Sequence, residues 1–206
     1  MLTLGEGTYL VKVAREAYFT YVNQNQIFRA TKSPSPKLEQ KIGAYVRVGT
    51  FAEQKRDEQD VVLGFTGYPM PMKNLYRSVI DASTAIAVRS LRPPSNSGGI
   101  SFEVTVLSSP EQLKATDPVR LGSGIKLGRD ALMVAAPEMK KAIILPQTAI
   151  KTCKNEVELL GECCTAAGLM ADAWLTSPEL CFYRFQAQIF RETGPRKGVV
   201  EIVLAE

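Results

Sequence analysis

The sequence predicts an α+β fold, with an antiparallel sheet built from both ends of the chain and a small insert between them. Three observations carry this reading. Long alternating strands and two amphipathic helices occupy residues 1–117, and the long-strand texture returns in 179–206. Between Asp117-Pro118 and Pro178 the pieces become shorter. No internal repeat is evident, so the predicted subdomains are a large one, 1–117 plus 179–206, and a small inserted one, 118–178.

Thr3 and Glu6 have capping-box spacing, and Leu10, Val13, Ala14, Ala17, Tyr18 and Tyr21 recur at helical intervals. The chain therefore opens with an amphipathic helix that ends near Asn23. Two Ser-Pro pairs make Thr31 to Pro36 a loop that no helix could cross. Ala44–Phe51 and Val61–Tyr68 read as strands, joined by the charged connection Phe51–Asp60 as a hairpin with a solvated tip. Pro69 and Pro71 stop the second strand. A helix from about Met72 to Leu91 buries Leu75, Val79, Ala82 and Ile86, with Arg77 and Asp81 at i, i+4 on its polar face. After the Pro/Ser/Gly loop Arg92–Gly99, Ile100–Leu107 alternates. Phe102, Val104 and Val106 share one face; Ser101, Glu103 and Thr105 share the other.

In the insert, Ile125–Leu127, Ala131–Ala136 and Lys141–Leu145 read as three short strands. Asn155 and Glu158 cap a helix with the core stripe Val157, Leu160, Cys164 and Ala167, and Gly168 ends it in the left-handed conformation. Beyond Pro178, Tyr183, Phe185, Ala187 and Ile189 alternate with Arg184, Gln186 and Gln188. Gly194-Pro195 turns the chain, and Val199–Leu204 is the last strand.

Composition sets exclusions. There is no histidine, which removes Ser-His-Asp and Cys-His nucleophile pairs, His-ligated zinc and His acid–base catalysis. A formal charge of +4, from 25 basic and 21 acidic residues, is too thin to mark a nucleic-acid or membrane partner. The four cysteines, Cys153, Cys163, Cys164 and Cys181, show no Cys-x-x-Cys spacing and read as small buried hydrophobes. The first 25 residues carry no secretory pattern, and no apolar run reaches the ~18 residues a membrane span needs. The expected location is the cytoplasm.

Apparent motifs have plain explanations. Gly122-Ser123-Gly124 and Gly128 invite a phosphate loop, but that chemistry needs a helix N-terminus after the glycines, where this sequence reads as a strand. Ser123 and Lys126 have the Ser-x-x-Lys spacing of some acylases, which puts both on one face only of a helix. Asp57, Glu58 and Asp60 stand beside Lys55 and Arg56 as a mixed-charge tip, and Glu158 and Glu162 as an exposed helix face. Neither group calls for a metal, and no cofactor is expected. The basic residues Arg89, Arg92, Lys126, Arg129, Lys140 and Lys141 are interrupted by apolar segments, so nucleic acid is not expected as a partner.

Several pieces in order resemble the AMMECR domain family, of the AmmeMemoRadiSam system protein A kind. They are Gly43-Ala44-Tyr45-Val46, the run Phe102 to Glu111, Asp117-Pro118, Gly128-Arg129-Asp130-Ala131-Leu132, Leu145-Pro146-Gln147, Ala167-Gly168-Leu169, Trp174 and Phe185 to Phe190. The resemblance implies a larger part with a five-stranded antiparallel sheet, a smaller part with a three-stranded sheet, and a cleft between them. It also implies a system shared with a Memo-type protein and a radical-SAM enzyme. The family signature Leu-Arg-Gly-Cys-Ile-Gly falls on Val62-Leu63-Gly64-Phe65-Thr66-Gly67, with Leu63 in place of Arg and Phe65 in place of Cys. The family's Asp-Pro-Arg-Phe run is reduced to Arg92-Pro93-Pro94. If the family's chemistry depends on that Arg and Cys, this chain cannot perform it.

The leading expectation is a module that binds a protein or peptide partner in the cleft through Leu63, Gly64, Phe65, Thr66, Gly67 and Tyr68. The alternative is an enzyme or enzyme subunit acting on a large substrate through Tyr68, Thr66, lysines or carboxylates. For Phe65 itself the competing expectation is plain core packing.

Overall fold

The structure is a computed structural model and describes residues 1–30, 33–50, 61–90, 99–114 and 120–204. The connections at 51–60 and 91–98, with Asp57, Glu58, Asp60 and Arg92-Pro93-Pro94, lie outside the described residues, as does Asp117-Pro118. Helix α1 (Leu4–Gln24) begins at the expected capping box. The Glu6 N–H donates to Thr3 Oγ1 at 3.2 Å, and the Thr3 N–H donates back to Glu6 Oε2 at 2.8 Å. Leu10, Val13, Ala14, Ala17 and Tyr18 are buried as the spacing predicts, while Tyr21 is only partly so. Strands β1 (Ala44–Thr50) and β2 (Val62–Tyr68) pair antiparallel, and helix α2 (Leu75–Arg89) buries all four stripe residues. The expected Arg77–Asp81 pair is not made. Asp81 instead takes Lys73 Nζ at 2.5 Å, and Arg77 Nε donates to the Tyr76 hydroxyl at 3.1 Å.

Strand β3 (Ile100–Leu107) is buried along both faces, including Ser101, Glu103 and Thr105. It is followed by the short β4 (Glu111–Leu113), by β5 (Asp130–Ala135) and β6 (Lys141–Ile144), and by helices α3 (Pro146–Thr152), α4 (Glu156–Ala166) and α5 (Ala173–Thr176). Strands β7 (Cys181–Glu192) and β8 (Val199–Ile202) complete the chain. The strand expected at 125–127 does not form. Gly122–Gly124 make a 3-10 turn, and the Asp130 carboxylate then draws the chain into a second turn by accepting the Lys126 N–H at 3.0 Å. The Asp130 N–H answers to the Lys126 carbonyl at 2.9 Å, and Gly128 takes φ +83° between them. The α4 stripe is also displaced. Leu159, Leu160, Cys163 and Cys164 are buried, whereas Val157 is 52% exposed, because the bulkier Leu159 takes the core side of the first turn.

The sheet corrects the expected strand count. Among the described residues eight strands form one hydrogen-bonded sheet, ordered β2-β1-β3-β7-β5-β6 with β4 and β8 also on β7, rather than separate sheets of five and three. The cause is β7. Its first stretch pairs with β5 and β4, and its last, Ile189–Glu192, pairs with β8, all antiparallel. One unit of the chain comprises Met1–Val106 with Gln188–Val203, and a second comprises Leu107–Ala187. The first has its core between α1, α2 and one face of β1 and β3; the second between α4, β5 and β6, with Phe182 of β7.

Candidate functional site

Period-2 alternation divides β1 cleanly. Ala44, Val46 and Val48 enter the core under the helices, and Tyr45 and Arg47 lie on the other face. On β2 a Cβ at Gly64 would run into Ile86 Cγ2 of α2, so this glycine lets helix and strand approach closely. Gly67 lies in register with Tyr45, and a Cβ there would overlap the Ala44 carbonyl oxygen and stand 2.6 Å from Tyr45 Cγ. The bare backbone of Gly67 lets the Tyr45 ring lie across the strand and stack on Phe65, with centroids 5.0 Å apart and planes 19° apart.

The expected site residues therefore divide. Phe65 and Gly67 share the Tyr45 face, with Phe65 44% exposed and Tyr45 buried. Gly64 serves the helix side. Leu63 and Tyr68 pack partly against the core of this unit, and Thr66, paired with Val46, is half-buried. Tyr68 also holds Lys73 Nζ 5.0 Å from its ring centroid, and the hydrogen bond to Asp81 raises the pKa of that ammonium. Burial pushes the Tyr45 phenol up to about 12.

The same face carries a row that could not be assembled from sequence spacing. Phe65 stands opposite Arg47, Arg47 opposite Glu103, and Glu103 is ion-paired to Arg191, its Oε2 accepting from Arg191 Nε at 2.5 Å. An exposed ring thus adjoins Arg47, and beyond it a buried carboxylate has guanidinium-bearing residues on both sides, an excess of one positive charge within the row. The signal available in advance was the parity of Glu103 within its strand, which sets it opposite the apolar residues. Only register could supply Arg47 and Arg191 as neighbours. Among the described residues no group of three His, Cys, Asp or Glu could hold a metal, and no helix is long and apolar enough to cross a membrane.

These features define an α+β chain whose antiparallel sheet presents an aromatic and ionic face on its first strands. The AMMECR1 family model matches residues 11–190, and the chain belongs to that family. Protein MK0488 of Methanopyrus kandleri is 32% identical over 210 residues, covering 100% of this chain and 97% of that protein. A protein of Thermofilum pendens is 35% identical over 209 residues, covering 97% and 96%. The crystal structure of the uncharacterised protein PH0010 from Pyrococcus horikoshii is similar in fold, with a TM-score of 0.86, 30% identity, and coverage of 97% of this chain and 98% of that one.

Proposed function

We propose that this AMMECR1-family chain is a binding module for a protein or peptide partner, with Phe65 as the anchor of the recognition surface. The observation that carries the reading is the Phe65–Tyr45 stack: a large ring left 44% exposed, yet stacked on a buried neighbour. Rigid aromatic anchors give up little entropy on docking and tend to dominate binding energy. The adjoining Arg47–Glu103–Arg191 row, with its surplus positive charge, suits a partner segment carrying an apolar residue beside an acidic one. The position of β2 supports it further. Among the described residues it is the terminal strand in the sheet order, and main-chain groups at a sheet edge are where extended peptides add.

Native mass spectrometry of the protein taken from its own cells, repeated with Phe65→Ala, tests the reading. The expected result is a co-purifying polypeptide that the variant loses while it stays folded, at a stability cost well below the ~3–5 kcal/mol of a fully buried Phe. Retention of the polypeptide by Phe65→Ala, or recovery of the chain with a small molecule alone, sinks it.

A further inference from the structure

A second feature of the same unit lies away from β2. A cavity of about 850 Å³ opens between one stripe of α1, from Thr8 to Gln24, and the turn leading into β8. This is within the range of roughly 300–1,000 Å³ typical of small-ligand sites. Its charged lining comprises Lys12, Arg15, Arg196 and Lys197 against Glu16 and Glu192, four cations to two carboxylates.

Arg15 distinguishes this cavity from an ordinary basic rim. It is 7% exposed and held on one edge only: Nε donates to Glu192 Oε1 at 2.8 Å, and Nη2 donates to Glu192 Oε2 at 2.6 Å and to the Ile100 carbonyl at 2.8 Å. Its guanidinium lies 4.7 Å from the Phe102 ring centroid. Among the described residues Nη1 has no hydrogen-bond partner, and it is itself closed to solvent. A buried, charged donor without an acceptor is costly. Glu192 is committed, since it also accepts the Phe102 N–H at 2.9 Å. Among the described residues no ion pair engages Lys12, Arg196 or Lys197.

We propose that this cavity binds a small phosphomonoester. The charge arithmetic selects the class: a monoester carries about −1.5 to −2 at neutral pH, matching the surplus of two cations, and offers several acceptor oxygens. Phe19 and Val199 supply an apolar wall for the organic part, which inorganic phosphate lacks.

Calorimetric titration of the full chain with phenyl phosphate, inorganic phosphate and a short oligothymidylate tests the proposal. Phenyl phosphate is expected to saturate with Kd below about 1 mM, and inorganic phosphate to bind at least about tenfold more weakly. The double variant Lys12→Gln, Lys197→Gln, altering two exposed side chains, is expected to weaken phenyl phosphate at least about tenfold with an unchanged melting midpoint. Absence of saturation at roughly 10 mM, or an affinity indifferent to the double variant, overturns the site. Equal affinity for inorganic phosphate overturns the ester reading, and displacement of phenyl phosphate by the oligonucleotide at lower concentration reassigns the face to nucleic acid. The partner-binding proposal is unaffected by any of these outcomes.

Discussion

Phe65 packs on one side only, which separates its two possible roles. A fully buried Phe costs ~3–5 kcal/mol on truncation to Ala. At 44% exposure, with one stacked neighbour, Phe65→Ala is expected to cost about 1–1.5 kcal/mol by chemical denaturation. Gly67→Ala is the more damaging change, about 1–3 kcal/mol, because the added carbon must displace the Ala44 carbonyl and the Tyr45 ring. The thiols give a kinetic test. Cys163 and Cys164 are fully buried, and desolvation pushes the Cys163 thiol from 9.0 up to about 12. A raised pKa favours the folded state below the unfolded value and loses that contribution as pH climbs from 9.0 towards 12. At neutral pH, mass-resolved alkylation should modify half-exposed Cys181 first and reach Cys163 only at the global unfolding rate. Rapid labelling of Cys163 in the folded protein would contradict this.

Helix starts and stripes were legible because their signals are local. The Thr3–Glu6 box and the four buried residues of α2 need only neighbours within a turn or two. That locality also makes the α1 start testable. The Ser35 hydroxyl, then the Thr3 N–H, hold the Glu6 carboxyl below its usual 4.5. Its contribution is therefore present above pH 4.5 and lost as pH falls through the folded value, so Glu6→Gln should flatten the acid limb of the stability curve. Thr3→Ala is expected to cost about 1 kcal/mol at neutral pH. What was not legible was every feature set by a distant partner. Lys73 outcompetes Arg77 for Asp81. Asp130 bends residues 126–130 where extended chain was expected. The Phe65–Arg47–Glu103–Arg191 row exists only once three strand registers are known. The six expected site residues form one strand, as read, but they divide between its two faces, and the glycine spacing alone could not say which served the helix and which the ring.

Across the first unit, Arg15 and Glu192 join residues 177 positions apart, and Leu2 is held to Gln188 by two hydrogen bonds of 2.9 Å. Breaking a buried ion pair from one side leaves a charge without compensation, so Glu192→Ala is expected to lose about 3–5 kcal/mol by denaturant titration. A loss comparable with that of an exposed pair would show that the guanidinium relaxes to another acceptor. The long strand β7 has a consequence for how this protein is made. In the sheet order β3 lies between β1 and β7, while the residues of β7 leave the ribosome only after those of β1 to β6. Until then β3 has one flank paired and the other bare, and Arg15 lacks its carboxylate. A nascent chain stalled after residue 180 should therefore be cut readily by protease within its first hundred residues and retain bound chaperone. A chain carried through residue 206 and presented past the tunnel on a long tether should resist digestion and shed it.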